Sequence, residues 1–348
     1  MDCFFLFTVP RFYAIIEIVS FAERSDTVPK KSKSVPKMKR LAIFQTIVIL
    51  ALVGVLISVV YKGMHKAVTV FFTTPDSGTP AEFATDDEEP TNEDGMILMH
   101  DSAYGEVYLP VLEGVEKCSY DIDRIVRRNS MCYYMEDTGV SSAIGVDVSS
   151  HQGEIDWPRV KEAGISFAFL RCGLRTYGSG KLEVDPCFDR NLAEATAAGL
   201  DVGVYFFSQA ISVEEAEEEA EMTLALLDGA PLTYPIVFDW EVVTTDHART
   251  DDVSVETLGA CTRAFCEKVK AAGYTPMVYQ NKRTSYMKLD LRQTANYDFW
   301  LAEYAEKPSY YYEYRIWQYC SDGTVPGIEG DVDMNLCFVP YTKGGDGE

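Results

Sequence analysis

From residue 143 onward, short apolar runs alternate with amphipathic stretches of helical period. Apolar runs of this length, rich in β-branched and aromatic residues, predict β-strands, and the amphipathic stretches between them predict helices. The predicted strands are Ile144–Val148, Ser166–Cys172, Asp201–Phe207, Pro235–Trp240, Pro276–Tyr279, Phe299–Tyr304, Arg315–Tyr319 and Asp331–Leu336. The predicted helices are Trp157–Ala163, Phe188–Ala198, Val213–Leu227 and Val255–Ala272, and the third follows the capping signal Ser212-Val213-Glu214-Glu215.

The repeated order of strand, helix and strand predicts an α/β fold, and eight strands favour closure into a barrel. Residues 282–298 leave room for only one short helix, and loops such as 321–330 join the last strands. We therefore predict an irregular TIM-like (β/α) barrel over residues 143–340, with eight strands and fewer than eight helices. A doubly wound open sheet is the alternative, although the sequence after the first strand, Ser149-Ser150-His151-Gln152-Gly153, is not a glycine-rich phosphate-binding loop.

An uncharged apolar segment, residues 41–61, lies upstream of these elements. At a helical rise of about 1.5 Å per residue, it is long enough to cross a hydrocarbon core of about 30 Å. Basic residues precede it, so the positive-inside rule places residues 1–40 in the cytoplasm. No small-x-small cleavage site follows, which favours a retained signal anchor. The expected location is the cell membrane, in a single pass, with the barrel extracellular.

The remaining segments differ in composition. Residues 62–102 are rich in Thr, Pro, Asp and Glu and predict a solvated stalk. Residues 103–142 contain short apolar runs around a basic patch and predict a small strand-rich neck, and residues 341–348 form a tail. An apolar patch within residues 1–37 is broken by charges and Pro10, so we hypothesise that translation starts at Met38 and that residues 1–37 extend the gene model.

Charge and cysteine content narrow the chemistry. The chain has 54 acidic and 31 basic side chains and a net charge of −23, which disfavours nucleic acid as a partner because phosphate backbones select basic surfaces. The histidines do not have zinc-ligand spacing and no CxxC pair occurs, so neither a metal nor another cofactor is predicted. Outside the cell, cysteine spacing favours the disulfides Cys118–Cys132 and Cys320–Cys337 without fixing the connectivity.

Two acids, Asp239 and Glu241, stand two positions apart at the end of an apolar run, a spacing that turns both to one face of a strand. The carboxyl ends of barrel strands meet at one rim, so Asp147 and Asp333, on the first and last strands, are expected to line the same pocket. Paired carboxylates at such a rim suit glycosidic bond hydrolysis, in which one donates a proton and the other stabilises positive charge. Solvated acids at a strand end are the alternative.

Aromatic residues are predicted at the same rim. Sugar rings present flat C–H faces that suit aromatic platforms, whereas alternation along a strand assigns about half of these residues to core packing. The candidate substrate-binding residues are Tyr205, Phe207, Tyr279, Trp317 and Gln318, with Trp300, Tyr304 and Tyr319 predicted near them.

Six motifs, taken in order, resemble family 25 of the glycoside hydrolases, the muramidase family that includes the Chalaropsis-type lysozymes. The motifs are Ile144-Gly145-Val146-Asp147-Val148-Ser149-Ser150-His151-Gln152-Gly153, Ile155-Asp156-Trp157, Val202-Gly203-Val204-Tyr205, Phe238-Asp239-Trp240-Glu241, Ile316-Trp317-Gln318-Tyr319 and Asp331-Val332-Asp333-Met334-Asn335. The resemblance implies an irregular eight-stranded barrel and cleavage of the β-1,4 bond between N-acetylmuramic acid and N-acetylglucosamine in peptidoglycan, the bacterial wall polymer.

Carried over residue by residue, the resemblance implies that Glu241 is the general acid. Asp239 matches the second carboxylate, which stabilises the oxocarbenium-like state or orients the N-acetyl group of the substrate, and Asp147 and Asp333 match supporting acids. Three carboxylates nearby should raise the pKa of Glu241, which suits a proton donor. Phe206 stands where many members have a histidine, so one subsite is expected to differ.

Several other functions fit parts of the sequence. A barrel that binds peptidoglycan with little turnover would retain the same groove. A chitinase would have further spaced aspartates before the glutamate, where this chain has Tyr234 and Val237, and a zinc-dependent deacetylase would need paired histidines. A cysteine peptidase needs a reactive cysteine beside a histidine, but Cys172 and His151 are on separate strand ends.

Overall fold

The structure, a computed structural model, describes residues 95–101, 105–243 and 248–342. The predicted cytoplasmic segment 1–40, the anchor 41–61 and most of the stalk and tail lie outside the described residues. Within the described ranges, none of the helices is both long and apolar enough to cross a membrane.

Two small sheets come before the barrel in the chain. Strands β1 (Met96–Asp101) and β2 (Gly105–Pro110) form an antiparallel hairpin, so the end of the predicted stalk is a strand whose Ile97 and Met99 are buried. The flanking sheet, residues 125–140, consists of β3 (Ile125–Arg128), β4 (Met131–Glu136) and β5 (Gly139–Val140). It packs on the barrel, with the ring of Tyr134 edge-on to Phe338 at a centroid distance of 5.2 Å.

The remaining strands build the barrel. They are β6 (Ala143–Val148), β7 (Phe167–Arg175), β8 (Leu182–Val184), β9 (Asp201–Ser208), β10 (Ile236–Trp240), β11 (Pro276–Asn281), β12 (Asp298–Ala302), β13 (Ile316–Gly323) and β14 (Val332–Cys337). The wall runs β6-β7-β9-β10-β11-β12-β13-β14 and returns to β6, while β8 pairs only with the end of β7. All eight predicted strands are present and the predicted closure is confirmed.

The last strand departs from the parallel pattern. Strand β14 is antiparallel to both of its neighbours, β13 and β6. Parallel strands need a crossover of about a dozen residues or more, whereas residues 324–331 form only a short loop that suits an antiparallel return. Asp333 therefore reaches the carboxyl rim from the beginning of its strand and not from the end.

Five α-helices pack outside the barrel within the described ranges. They are α1 (Trp157–Glu162), α2 (Phe188–Ala197), α3 (Val213–Leu227), α4 (Val255–Ala271) and α5 (Lys282–Lys288). The first four confirm the predicted helices to within one residue, and α5 is the single short helix expected after β11. The predicted cap of α3 is formed as well, because the Ser212 hydroxyl accepts a hydrogen bond from the backbone N–H of Glu215 at 3.4 Å.

The barrel interior beneath the rim is filled by aromatic rings. A Cβ on Gly145 would lie 2.3 Å from the ring of Phe167, and one on Gly203 would lie 2.4 Å from Phe169. These glycines therefore leave the space that the two phenylalanines fill. The ring of Phe169 stacks in turn on Trp300, with centroids 4.6 Å apart, so a solid aromatic layer lies under the rim.

The eight described cysteines are free thiols. The predicted pair Cys320–Cys337 is wrong, because Cys320 pairs with Met334 in the ladder and Cys337 lies three positions further along the strand, about 10 Å away. A disulfide tolerates Cα separations of only about 7 Å. The predicted pair Cys118–Cys132 is not formed either: the backbone of Cys118 bonds Tyr311, whereas that of Cys132 donates to the Tyr319 hydroxyl.

Candidate active site

A pocket of about 230 Å³ opens at the rim where the parallel strands end, and its lining includes all four predicted acids. Asp147 comes from β6, Asp239 from β10, Glu241 from the residue after β10 and Asp333 from β14. Asp147 and Asp333 are direct partners in the ladder. The structure thus brings Asp147 and Asp333, which are far apart in the sequence, together with the neighbouring pair Asp239 and Glu241.

Two amide side chains hold Asp147. Its Oδ2 accepts hydrogen bonds from Nε2 of Gln318 at 2.9 Å and from Nδ2 of Asn335 at 2.7 Å. Burial raises the pKa of Asp147 to about 6, and these two hydrogen bonds oppose the rise. Asp147 therefore ionises more readily than its partner Asp333, whose pKa is raised to about 8.

The orientation of both amides is fixed by aromatic donors. The Gln318 Oε1 accepts from the hydroxyls of Tyr279 at 3.0 Å and Tyr304 at 2.9 Å. The indole Nε1 of Trp300 donates to Oδ1 of Asn335 at 2.8 Å. Because each amide oxygen is engaged in this way, each amide nitrogen is left to donate to Asp147.

Asp239 and Glu241 form a coupled pair of acids. Asp239 is only 5% exposed, and burial raises its pKa well above the ordinary value, with further increases from the charges of Glu241 and Asp147. Burial also raises the pKa of Glu241, which the neighbouring Asp239 opposes and the charge of Asp147 reinforces. Two neighbouring buried carboxyls do not both ionise easily, so the pair retains a proton near neutral pH.

Asp333 completes the acidic set. Burial raises its pKa to about 8, and the charges of Asp147 and Glu241 add to the rise. The pocket therefore holds both protonated and ionised carboxyls near neutral pH, which is the combination that acid catalysis of glycosidic cleavage requires. The pKa of Glu241 is raised, as predicted. The pKa of Asp239 is raised as well, which the sequence did not indicate.

The floor of the pocket is aromatic. The ring of Trp300 lies 4.8 Å from Tyr279 and 6.4 Å from Tyr205, both edge-on. These three rings shield the acids from water on the inner side of the pocket, which contributes to the burial that raises their pKa values. Phe207 and Tyr304 line the pocket as well.

The predicted substrate-binding residues divide into two groups. Tyr205, Phe207, Tyr279 and Gln318 line the pocket, although Gln318 is 3% exposed and already bonded to Asp147. Trp317 does not line it, because side chains alternate along β13 and Trp317 faces outward under the flanking sheet. Phe206, which was expected to alter one subsite, likewise points outward, into contact range of Gly173 in β7, and is fully buried.

Arg171 is a pocket residue that the sequence analysis missed. Its guanidinium donates to Oδ2 of Asp185 at 2.9 Å and to the hydroxyl of Ser150 at 3.1 Å. The sequence signal that could have identified it is the arginine inside the apolar run Phe167–Cys172, since a charge on a buried strand needs a partner. Asn335 was also missed as a site residue, although it lies in the same motif as Asp333.

The pocket offers no evident metal site. No group of histidine, cysteine, aspartate and glutamate side chains in the described part of the chain has an arrangement that could hold a metal ion.

A closed barrel with converging carboxyl groups at its carboxyl rim, over an aromatic floor, is the arrangement expected of a glycoside hydrolase. The model of the glycosyl hydrolases family 25 matches residues 146–328 of the chain. This is more than half of the sequence, and the chain belongs to that family.

Individual proteins agree with this assignment. The uncharacterized protein YegX of Escherichia coli (strain K12) is 30% identical over 202 residues, which make up 55% of this chain and 68% of YegX. The autolytic lysozyme of Clostridium acetobutylicum is 28% identical over 193 residues, so the match covers 55% of this chain and 54% of the lysozyme. The structure of the modular autolysin LytC from Streptococcus pneumoniae has a TM-score of 0.50 at 23% identity, covers 71% of this chain and 57% of LytC, and shows the shared fold.

Proposed function

We propose that the protein is a muramidase (lysozyme), which hydrolyses the β-1,4 bond between N-acetylmuramic acid and N-acetylglucosamine in peptidoglycan. The observation that carries the proposal is the meeting of Asp239 and Glu241 with Asp147 and Asp333 in one pocket, in a chain of family 25. A relative named as a lysozyme and a fold neighbour named as an autolysin support peptidoglycan as the substrate.

In the proposed mechanism, Glu241 donates its proton to the glycosidic oxygen as the bond from that oxygen to the anomeric carbon breaks. Burial raises the pKa of Glu241, which favours the protonated form that a general acid needs. Asp239 stabilises the positive charge that develops on the sugar, or orients the N-acetyl group that attacks the anomeric carbon. Water then adds to the anomeric carbon, and its proton returns to the enzyme carboxylates.

Asp147 and Asp333 have supporting roles in this mechanism. Asp147, held by Gln318 and Asn335, supplies a fixed negative charge beside the developing cation. The charge of Asp147 also raises the pKa of Asp239, Glu241 and Asp333. Asp147 therefore favours the protonated form of Glu241 without transferring a proton itself.

The substitution Glu241→Gln tests the mechanism, since it removes the proton donor at nearly constant volume. Release of reducing ends from purified peptidoglycan is expected to fall by at least about 100-fold. Glu194→Gln, on the exposed side of α2, is the matched control. Release by Glu241→Gln at the parental rate would remove Glu241 from the mechanism.

Mass spectrometry of the products tests the bond. Fragments that end in reducing N-acetylmuramic acid support a muramidase, whereas fragments that end in reducing N-acetylglucosamine indicate the other glycosidic bond. A parental protein that binds peptidoglycan and releases no fragments would instead be a wall-binding barrel of low turnover.

We also propose that residues 41–61 anchor the protein in the cell membrane with the barrel outside the cell. The uncharged length of that segment and the basic residues before it support this arrangement. Protease added to intact cells should then degrade the barrel, and deletion of residues 41–61 should move the protein out of the membrane fraction. Protection of the barrel in intact cells would contradict the proposal.

A further inference from the structure

Arg127, in β3 of the flanking sheet, contacts the barrel on its outer side. Its guanidinium lies over the rings of Tyr319 and Trp317, at 5.3 and 5.8 Å from their centroids. It also donates hydrogen bonds to the backbone oxygens of Ala305 at 2.6 Å and Glu306 at 3.3 Å. A planar guanidinium suits this double task, because it stacks on aromatic faces while its edge donates several hydrogen bonds.

The backbone that Arg127 binds belongs to the loop 303–309, which follows β12 at the rim. The beginning of this loop is fixed by the barrel, since the indole Nε1 of Trp317 donates to the backbone oxygen of Glu303 at 2.7 Å. The Glu303 carboxylate accepts from Nζ of Lys282 at 2.8 Å and from the backbone N–H of Ser309 at 2.9 Å.

The middle of the same loop is held by residues N-terminal to the barrel. Ala305 and Glu306 are bound by Arg127, and Lys307 forms an ion pair with Asp123. Both Asp123 and Arg127 precede residue 146, where the match to the family begins. This part of the chain, outside the residues matched by the family model, therefore reaches the active-site rim.

Tyr304 links this loop to the pocket. It lines the pocket, is 57% exposed, and its hydroxyl donates to the Gln318 Oε1 at 2.9 Å. The same Gln318 donates to Asp147. Ala305 and Glu306 follow Tyr304 directly in the chain, and Arg127 binds their backbone oxygens from outside the barrel. The position of the Tyr304 ring at the mouth of the pocket thus depends on these two residues.

We propose that Arg127 is a positioning residue of the hydrolase, which fixes the loop 303–309 and through it the ring of Tyr304 at the mouth of the pocket. This inference rests on the proposed glycosidase function. Arg127 does not touch the pocket, so its loss acts on the placement of the glycan and not on proton transfer. The expected effect of Arg127→Ala is a rise in KM of about threefold to tenfold, with kcat changed less than twofold, from the loss of a few charge-assisted hydrogen bonds.

The control is Arg128→Ala on the same strand. Arg128 is exposed and makes no side-chain hydrogen bond or ion pair within the described residues. Arg127→Ala should lower the melting temperature slightly, because it removes the hydrogen bonds to Ala305 and Glu306, whereas Arg128→Ala should leave it unchanged. An equal fall in melting temperature in both variants would indicate damage to the flanking sheet. The more conservative Arg127→Lys would then be the deciding variant, and its KM should lie between those of the parental protein and Arg127→Ala.

Two measurements decide the proposal in the full chain. Hydrogen exchange of the backbone amides in 303–309 should be faster in Arg127→Ala than in Arg128→Ala, and this readout does not depend on any reaction. In a double-mutant cycle, Arg127→Ala should raise KM little when Tyr304→Ala is already present. Equal exchange in the two arginine variants, or additive effects on KM, would overturn the role of Arg127. A parental protein that cleaves no peptidoglycan would instead overturn the proposed function and leave the exchange comparison valid.

Discussion

Asp147 and Asp333 lie directly opposite each other on the adjacent antiparallel strands β6 and β14. Burial raises the pKa of Asp147 to about 6 and that of Asp333 to about 8, and the charge of Asp147 contributes to the second rise. Between these two values one of the acids is mainly ionised and the other mainly protonated. The pair therefore avoids the repulsion that two adjacent carboxylates would exert.

The raised pKa of Asp333 predicts that the fold loses stability as pH rises. The folded chain binds this proton more tightly than the unfolded chain, in which the pKa of an aspartate has its ordinary value of 3.8, so the free energy of unfolding should fall from about pH 4 to pH 8. Asp333→Asn should remove part of this fall and raise the free energy of unfolding at pH 8 by about 1 to 3 kcal/mol. Urea unfolding at pH 5 and pH 8 measures both effects, with the exposed Asp331→Asn as control. An unchanged slope in Asp333→Asn would contradict the prediction.

Asn335 is predicted to set the pH at which Asp147 ionises. Its donated hydrogen bond lowers the pKa of Asp147, so Asn335→Leu should raise that pKa. If ionised Asp147 supports catalysis, the acidic limb of the pH–activity profile moves to higher pH, with about a tenfold loss at pH 6 and a smaller loss at pH 8. The exposed Asn296→Leu is the control. A uniform loss at every pH would mean that Asn335 serves only the packing of the site.

Gly145 is predicted to tolerate no side chain. A Cβ there would lie 2.3 Å from the ring of Phe167, which the filled barrel interior prevents from moving away. Gly145→Ala should therefore lower the free energy of unfolding by about 1 to 3 kcal/mol. At Gly178 an added Cβ meets no atom within 4 Å, so Gly178→Ala should be nearly neutral. Denaturant unfolding of both variants checks the difference, and equal stabilities would be inconsistent with the aromatic layer.

The pair of Arg171 and Asp185 predicts a non-additive effect. The Asp185 side chain is fully buried and lies 2.8 Å from the guanidinium, so Arg171→Gln leaves a buried carboxylate without its cation. The expected loss is about 2 to 4 kcal/mol of unfolding free energy, because two backbone N–H groups still donate to Asp185. The double variant with Asp185→Asn should recover part of this loss in urea unfolding. Strictly additive losses would argue against a coupled pair.

The strands and the acids were predictable because their signals are local. An alternation of period two identifies a strand, and the spacing of Asp239 and Glu241 assigns both to one face. The face itself is harder to assign when both sides of a strand are buried, as for Trp317 and Gln318, because the flanking sheet makes the outer face apolar too. The role of Asn335 depends on a partner in another strand, which no local pattern contains.

The antiparallel strand β14 also has a consequence for the order of events during synthesis. Among the described strands it is the last to leave the ribosome, and it both joins β13 to β6 and contributes Asp333 and Asn335. Until residue 337 has been made, the wall has a gap and Asp147 lacks two of its neighbours. The acidic pocket is therefore incomplete until β14 has been made, and closure of the wall and completion of the pocket depend on the same strand.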